Sequence, residues 1–291
     1  MPPHPHIRIT HHLGRLRRIA ATVTSFATFG LFALVLSVLV VPLICACSGF
    51  RRQQALVAQR CIHISFRYFT VLMRVLGAID FRIENAERLH NDTGCLIVAN
   101  HPSLLDYVFL TSLMPRCDCV VKESLWNNFF MRGIIRSADY IPNRSAEEVL
   151  VACREKLHAG GRILVFPEGT RTTLGQPISL QRGAANIAVR CRADLRVVHI
   201  TCTPPILSKQ QRWWSNADTL PVFRISIREK IRVADFIQNT TSCGQAARLL
   251  NKHLAHALEP TKNTTSEKNS FSSHEPAPRR HKKTHHRDSE S

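Results

Sequence analysis

Residues 95–110, CLIVANHPSLLDYVFL, divide into three parts. CLIVAN is a short unbroken apolar run, as expected of a strand covered on both faces. From Leu104 to Met114 the sequence reads as the helix that follows. The turn between them carries His101, with Asp106 five positions further on. Strands alternating with helices imply a mostly parallel sheet with helices on both faces, and such sheets form their sites beyond the carboxyl ends of the strands.

The same pattern continues downstream. CVVK (119–122) is a short strand, and Ser145 with Glu148 forms an S-x-x-E capping box that starts a helix. Val149, Cys153 and Leu157 recur in it at helical spacing, and Gly160-Gly161 ends it. RILVF (162–166), RVVHIT (196–201) and the alternating VFRISIRE (222–229) are further strands. A last helix begins at Ser242, with Gln245 three residues on, and runs to about Leu258. The expected fold over 80–258 is therefore α/β, a mostly parallel sheet flanked by helices.

The chain has 291 residues, with Lys+Arg 39 against Asp+Glu 21 and a net charge of +18. Such a balance favours an anionic partner. No Asp or Glu precedes Asp80, while Arg8, Arg15, Arg17, Arg18, Arg51, Arg52, Arg60, Arg67 and Arg74 all do. These arginines surround hydrophobic sequence, which suits a membrane surface better than a nucleic-acid groove. The ten cysteines form no CxxC pair. Most lie in apolar stretches and read as buried free thiols in a reducing compartment, with no zinc site.

From Ile19 to Phe50 no charged residue occurs. That run exceeds the roughly 20 apolar residues a membrane span needs, and it reads as one tilted span or as two shorter helices that dip in and return. Residues 53–79 mix apolar and basic side chains. They read either as an amphipathic helix in the headgroup layer with Phe66, Phe69 and Leu72 toward lipid, or as a helix packed on the domain that follows. The organisation is thus a basic segment (1–18), membrane-embedded and interfacial helices (19–79), the α/β domain (80–258) and a basic tail (259–291). The tail holds almost nothing apolar and is expected to be disordered, with RRHKKTHHR (279–287) solvated or touching headgroups.

Two stretches carry chemistry. Five positions is wrong for two residues stacked on one helical face. It works if His101 lies in the turn and Asp106 looks back from the first turns of the helix, fixing the tautomer of a base. FPEGTR (166–171) places Pro167 and Gly169 around Glu168 and ends in Arg171, whose planar fork suits a phosphate or carboxylate. Taken singly, the first is also what two incidental polar residues look like, and the second what a surface turn with a Glu–Arg pair looks like. Both follow buried strands, so both are expected on one edge of the sheet. His199, inside a strand, reads as a core histidine. The Trp213-Trp214 pair reads as an interface anchor or as packing on the domain.

Together, in this order, the stretches resemble the glycerolipid acyltransferases, the group containing 1-acylglycerol-3-phosphate O-acyltransferase. The resemblance rests on N-H-x4-D at Asn100, His101 and Asp106 and on FPEGTR at 166–171, letter for letter. It extends to KESLWNNFFMRGIIRSADYIPNR (122–144) as a middle block, with departures at Ala138, Asp139 and Asn143, and to VVHITCTPP (197–205) as a fourth. It implies that His101 deprotonates the hydroxyl of a lysophospholipid, 1-acyl-sn-glycerol-3-phosphate by default, which attacks the thioester of acyl-CoA or acyl carrier protein to give phosphatidic acid. Asp106 orients His101. Arg144 and Arg171 hold the acceptor's phosphate, with Glu168, Gly169 and Thr170 shaping that pocket. No metal, cofactor or covalent acyl-enzyme is implied, because the thioester is already activated. The implied location is a membrane, the bacterial inner membrane with the domain facing the cytoplasm. Another lyso-lipid acceptor, a thioester hydrolase using the same pair, a lipid-binding scaffold and, more remotely, a nucleic-acid binder are the rival readings.

Overall fold

The run CLIVA is buried at every position because the strand it forms lies in the interior of a sheet. The computed structural model describes residues 5–40, 42–43, 51–128, 131–173, 175–209 and 219–259. Its strands are β1 (Asp80–Glu84), β2 (Cys95–Ala99), β3 (Asp118–Lys122), β4 (Ile141–Asn143), β5 (Arg162–Val165), β6 (Leu195–Thr203) and β7 (Val222–Ile231). They lie in the order β1-β7-β6-β2-β5-β3-β4. Every neighbouring pair is parallel except β6 and β7, so β1 and β7 run against the other five. The carboxyl ends of β2, β3, β4, β5 and β6 therefore share one edge.

The helices are α1 (Pro5–Val35), α2 (Arg51–Val75), α3 (Glu87–Asn91), α4 (Asp106–Leu113), α5 (Glu123–Trp126) and α6 (Arg132–Ser137). They continue with α7 (Ala146–His158), α8 (Gly183–Cys191), α9 (Ala234–Gln238) and α10 (Cys243–Leu258). Because side chains alternate along a strand, β2 and β5 feed two cores. Ile97, Ala99 and Leu164 pack with Phe69, Met73, Phe109 and Leu110 from α2 and α4. Leu96, Val98 and Ile163 pack with Val149, Cys153, Ala188 and Leu254 from α7, α8 and α10. The fold is the flanked, mostly parallel sheet expected from the sequence.

Both helix starts read from sequence are capped as anticipated. Ser145 Oγ accepts from the Glu148 amide at 3.2 Å, and Ser242 Oγ from that of Gln245 at 3.3 Å. The described cysteines are all free, and Cys95, Cys117, Cys119, Cys153 and Cys191 are buried. His199 is buried on β6, and desolvation together with the nearby Arg228 charge pushes its pKa down to about 4, so its imidazole is neutral.

The N-terminal part forms two long helices. Helix α1 runs unbroken across residue 18, carrying the basic stretch and the apolar one on a single helix, and it continues into a π-helical turn at Leu36–Val40. Of the two readings of 53–79, helix α2 takes the second: it packs on the domain, with Phe69 turned inward and not toward lipid. Phe69 is 2% exposed in the core beside Met73, and Phe66 meets Tyr107 edge-on at 5.7 Å. Gln59 Nε2 donates to Asp118 Oδ1 and to the Ala138 carbonyl, both at 3.1 Å, pinning α2 to the sheet. The outward face of α2 carries Val57, Ile64, Tyr68, Val71 and Val75 with Arg60, Arg67 and Arg74 between them. Apolar residues on two faces defeat a periodicity argument about which one is inward.

Helices α1 and α2 form an antiparallel pair. Arg17 of α1 lies against Gly77, just past the end of α2, where an added Cβ would stand 3.2 Å from Arg17 Nη2. At the other end the π-helical turn meets α6, which packs on Ala58 and Ile62 of α2. Phe29 of α1 meets Phe69 of α2 between these ends, the rings tilted by 32° with centroids 4.5 Å apart. Residues 213–214 and 260–291, with the tryptophan pair and the basic tail, lie outside the described residues.

Candidate active site

Strand β2 ends in a side chain that continues its ladder. Asn100, 5% exposed, donates from Nδ2 to the Ile200 carbonyl at 2.8 Å and accepts the Ile200 amide at Oδ1 at 2.7 Å. The amide thus closes the β2–β6 pairing beyond its last backbone bond and fixes where the following turn begins. Asn100→Ala leaves two buried backbone groups unpaired and is expected to cost about 2–4 kcal/mol. At this chain length that is a fall in Tm of roughly 5–10 °C by calorimetry in detergent.

The turn then folds back through a local motif. The Ser103 amide donates to Asp106 Oδ2 at 2.7 Å, and the Leu105 amide to Ser103 Oγ at 3.3 Å. This S-x-x-D arrangement aims the Asp106 carboxylate out of the start of α4 toward His101. His101 Nδ1 meets the same Oδ2 at 2.9 Å. An ionised carboxylate only accepts, so Nδ1 carries the proton and Nε2 the lone pair. Nε2 has no partner among the described residues, and the imidazole side chain is 18% exposed.

Asp106 is fully buried, and desolvation pushes its pKa up to about 6 against the opposing pull of His101 and the Ser103 amide. The nearby Glu168 carboxylate raises it further. Its second oxygen, Oδ1, has no hydrogen-bond partner among the described residues. The site therefore holds a buried carboxylate of unusually high proton affinity against the back of an imidazole, an arrangement that fixes the tautomer and leaves the Nε2 lone pair turned away from it.

The loop after β5 closes over this couple from the neighbouring strand. The register Val98↔Val165 sets Phe166 beside Ala99, so the two loops leave the sheet together. The Phe166 ring stacks on that of His101 at 4.2 Å and 19°. Gly169 has φ +68°, a left-handed conformation that L side chains rarely adopt, and it turns the loop back. Glu168 is 9% exposed and its Oε1 accepts the His101 amide at 2.9 Å. Arg171 Nη1 donates to the carbonyls of Leu207 and Ser208 at 2.9 and 3.1 Å, while its Nε and Nη2 have no partner among the described residues.

The acyltransferase family profile matches residues 80–206, the span that contains both loops. Over that span the chain is similar to the glycerolipid acyltransferases. It is 26% identical over 202 residues to human 1-acyl-sn-glycerol-3-phosphate acyltransferase beta, an alignment spanning 66% of this chain and 69% of that one. With the Helicobacter pylori (strain J99) 1-acyl-sn-glycerol-3-phosphate acyltransferase it shares 34% over 121 residues, 38% of this chain and 51% of that one. A putative Caenorhabditis elegans 1-acyl-sn-glycerol-3-phosphate acyltransferase is 27% identical over 161 residues, covering 53% of this chain and 58% of its own. The chain thus spans between about half and two thirds of these relatives. In fold it matches the crystal structure of the 1-acyl-sn-glycerophosphate (LPA) acyltransferase PlsC from Thermotoga maritima. That match has a TM-score of 0.63 and 21% identity, covering 88% of this chain and 98% of that one.

Within this domain, His101, Asp106 and Glu168 come together in one hydrogen-bonded cluster. Gly169 and Thr170 lie exposed on its rim. Arg171 is next to the cluster but divides its fork between the 207–208 carbonyls and open space. Arg144 stands apart, just past the end of β4 and three strands from β2, roughly 14 Å by interstrand spacing. It pairs with Glu123 at 3.5 Å, both side chains about half exposed. The sequence reading missed Ser103 and Thr172. The S-x-x-D spacing before an apolar run was a signal for the first; nothing local marks the second.

Proposed function

We propose that this protein transfers an acyl group from acyl-CoA or acyl carrier protein to the free hydroxyl of a lysophospholipid, with 1-acyl-sn-glycerol-3-phosphate the leading acceptor and phosphatidic acid the product. The observation that carries the reading is the His101–Asp106 couple at 2.9 Å with Nε2 open, beside a loop that supplies an arginine. Nε2 takes the hydroxyl proton as that oxygen attacks the thioester carbonyl. The tetrahedral intermediate collapses as the C–S bond breaks, and the imidazolium returns the proton to the departing thiolate. Asp106 holds the Nδ1 proton throughout and balances the transient positive charge. The free edge of Arg171 takes the acceptor's phosphate next to His101, and Arg144 adds positive charge farther along the same edge of the sheet. The names of the relatives support this choice of acceptor.

Membrane association is part of the same reading. One helix among the described residues, Gly14–Val40, is long and apolar enough to cross a membrane, and only 12% of its most apolar window is buried. Its partner α2 is bonded to the α/β domain along its length and turns a second apolar, arginine-bearing face outward. A pair so attached sits in one leaflet with the domain at the surface, where cytoplasmic thioester donors reach the edge that bears His101.

The test is mass spectrometry of the products formed by detergent-purified protein given acyl-CoA and a panel of lyso-acceptors. Phosphatidic acid formed in step with thiol release, from lysophosphatidic acid above all, is the expected result. Thiol release that ignores the acceptor would assign a hydrolase instead.

A further inference from the structure

We infer that Glu168 and Thr172 form a latch that positions His101, which makes Glu168 a positioning residue and not a ligand of the acceptor headgroup. The inference rests on the acyl-transfer reading. The His101 amide points between two acceptors, Glu168 Oε1 at 2.9 Å and Thr172 Oγ1 at 3.2 Å. Thr172 Oγ1 donates its own proton to the same Glu168 oxygen at 2.7 Å. The Thr172 amide donates to the His101 carbonyl at 2.7 Å. Both backbone groups of His101 are thus held by the loop after β5, while its ring is held by Phe166 on one face and by Asp106 at Nδ1.

Charge supports the same assignment. A carboxylate turned toward a phosphate repels it, whereas Glu168 is 9% exposed with its oxygen engaged inward. Position 172 needs a group that gives one hydrogen bond and receives another, which serine can also do and isosteric valine cannot. Losing the latch lets the turn shift, and a misplacement of about 1 Å at a reacting group can cost up to about a hundredfold in rate.

The test compares Thr172→Val, Thr172→Ser and Glu168→Gln in full-length protein, reading kcat, KM for lysophosphatidic acid and amide hydrogen exchange of residues 100–106. Thr172→Val is expected to lower kcat about tenfold with KM changed less than twofold, and to speed exchange in that turn alone; Thr172→Ser restores both. Glu168→Gln, which keeps an acceptor oxygen without charge, is expected to leave KM unchanged. A raised KM at unchanged kcat, exchange accelerated across the whole domain, or a valine variant like the wild type would overturn the latch. A wild-type protein that acylates no lyso-acceptor would instead overturn the functional reading, and the exchange measurement would still decide the latch.

Discussion

Replacing His101 with alanine is expected to lower acyl transfer about a thousandfold, within the range of 10²–10⁴ that a positioned general base contributes. The loss belongs to chemistry and not to folding. The ring is partly exposed and stacks on Phe166, so its removal leaves a gap at the surface edge of the cluster, while Asn100 and the Glu168–Thr172 latch act through backbone groups that remain. Asp106 loses its main proton donor, and with desolvation then opposed chiefly by the Ser103 amide it holds its own proton still more tightly. The α1–α2 pair lies outside the change. Co-sedimentation with anionic vesicles should therefore match the wild type while phosphatidic acid formation disappears. Transfer within tenfold of the wild type would remove His101 from the reaction.

The sequence made the inner strands visible and the outer ones obscure, for physical reasons. β2 is an unbroken apolar run because both its faces are covered, and β7 alternates because it does not bury both equally. β1, DFRIE, pairs only with β7 at one edge and keeps polar residues that hide it. β4 at the other edge is three residues long and includes Pro142, tolerable there because an edge strand leaves one side of its backbone unpaired. Helix α8 was passed over because it starts at Gly183 with no capping side chain.

In the site, the His101–Asp106 couple could be read because its members are five residues apart and one turn of chain joins them. The bonds from Glu168 and Thr172 to His101 join residues 67 and 71 positions apart and exist only because β2 and β5 are neighbours. Arg171 shows the limit of reading a motif. Its spacing forecasts a fork for an anion, but one arm of that fork holds the loop at 207–208 in place.

Asp106→Asn should separate activity from stability. The substitution keeps an oxygen for the Ser103 amide and for His101 Nδ1, since turning the new amide around would set its N–H₂ against the Ser103 N–H. The geometry survives and the charge does not. Without the charge that balances the imidazolium, most of what a positioned base contributes is lost, and a fall of about 10²–10⁴ is expected here in the same assay. Stability should move the other way. Burial raises the Asp106 pKa from 3.8 to about 6, so the folded chain holds this proton more tightly than the unfolded one. Between about pH 4 and 6 the folded state then binds more protons, and stability falls as pH rises through that window, by about 3 kcal/mol for a shift of this size. The ionised carboxylate, with Oδ1 unpartnered among the described residues, is a cost the folded protein carries at neutral pH. The amide removes that cost and leaves one buried N–H₂ unpaired, a lesser penalty of about 1–3 kcal/mol. Thermal unfolding at pH 8 should therefore show a midpoint equal to or above that of the wild type, and its decline between pH 4 and 6 should flatten. The wild-type kcat/KM should fall as the pH drops through about 6, where Asp106 takes up its proton. A variant that is both active and less stable would mean that Asp106 is there to hold the fold and that its charge does nothing for His101.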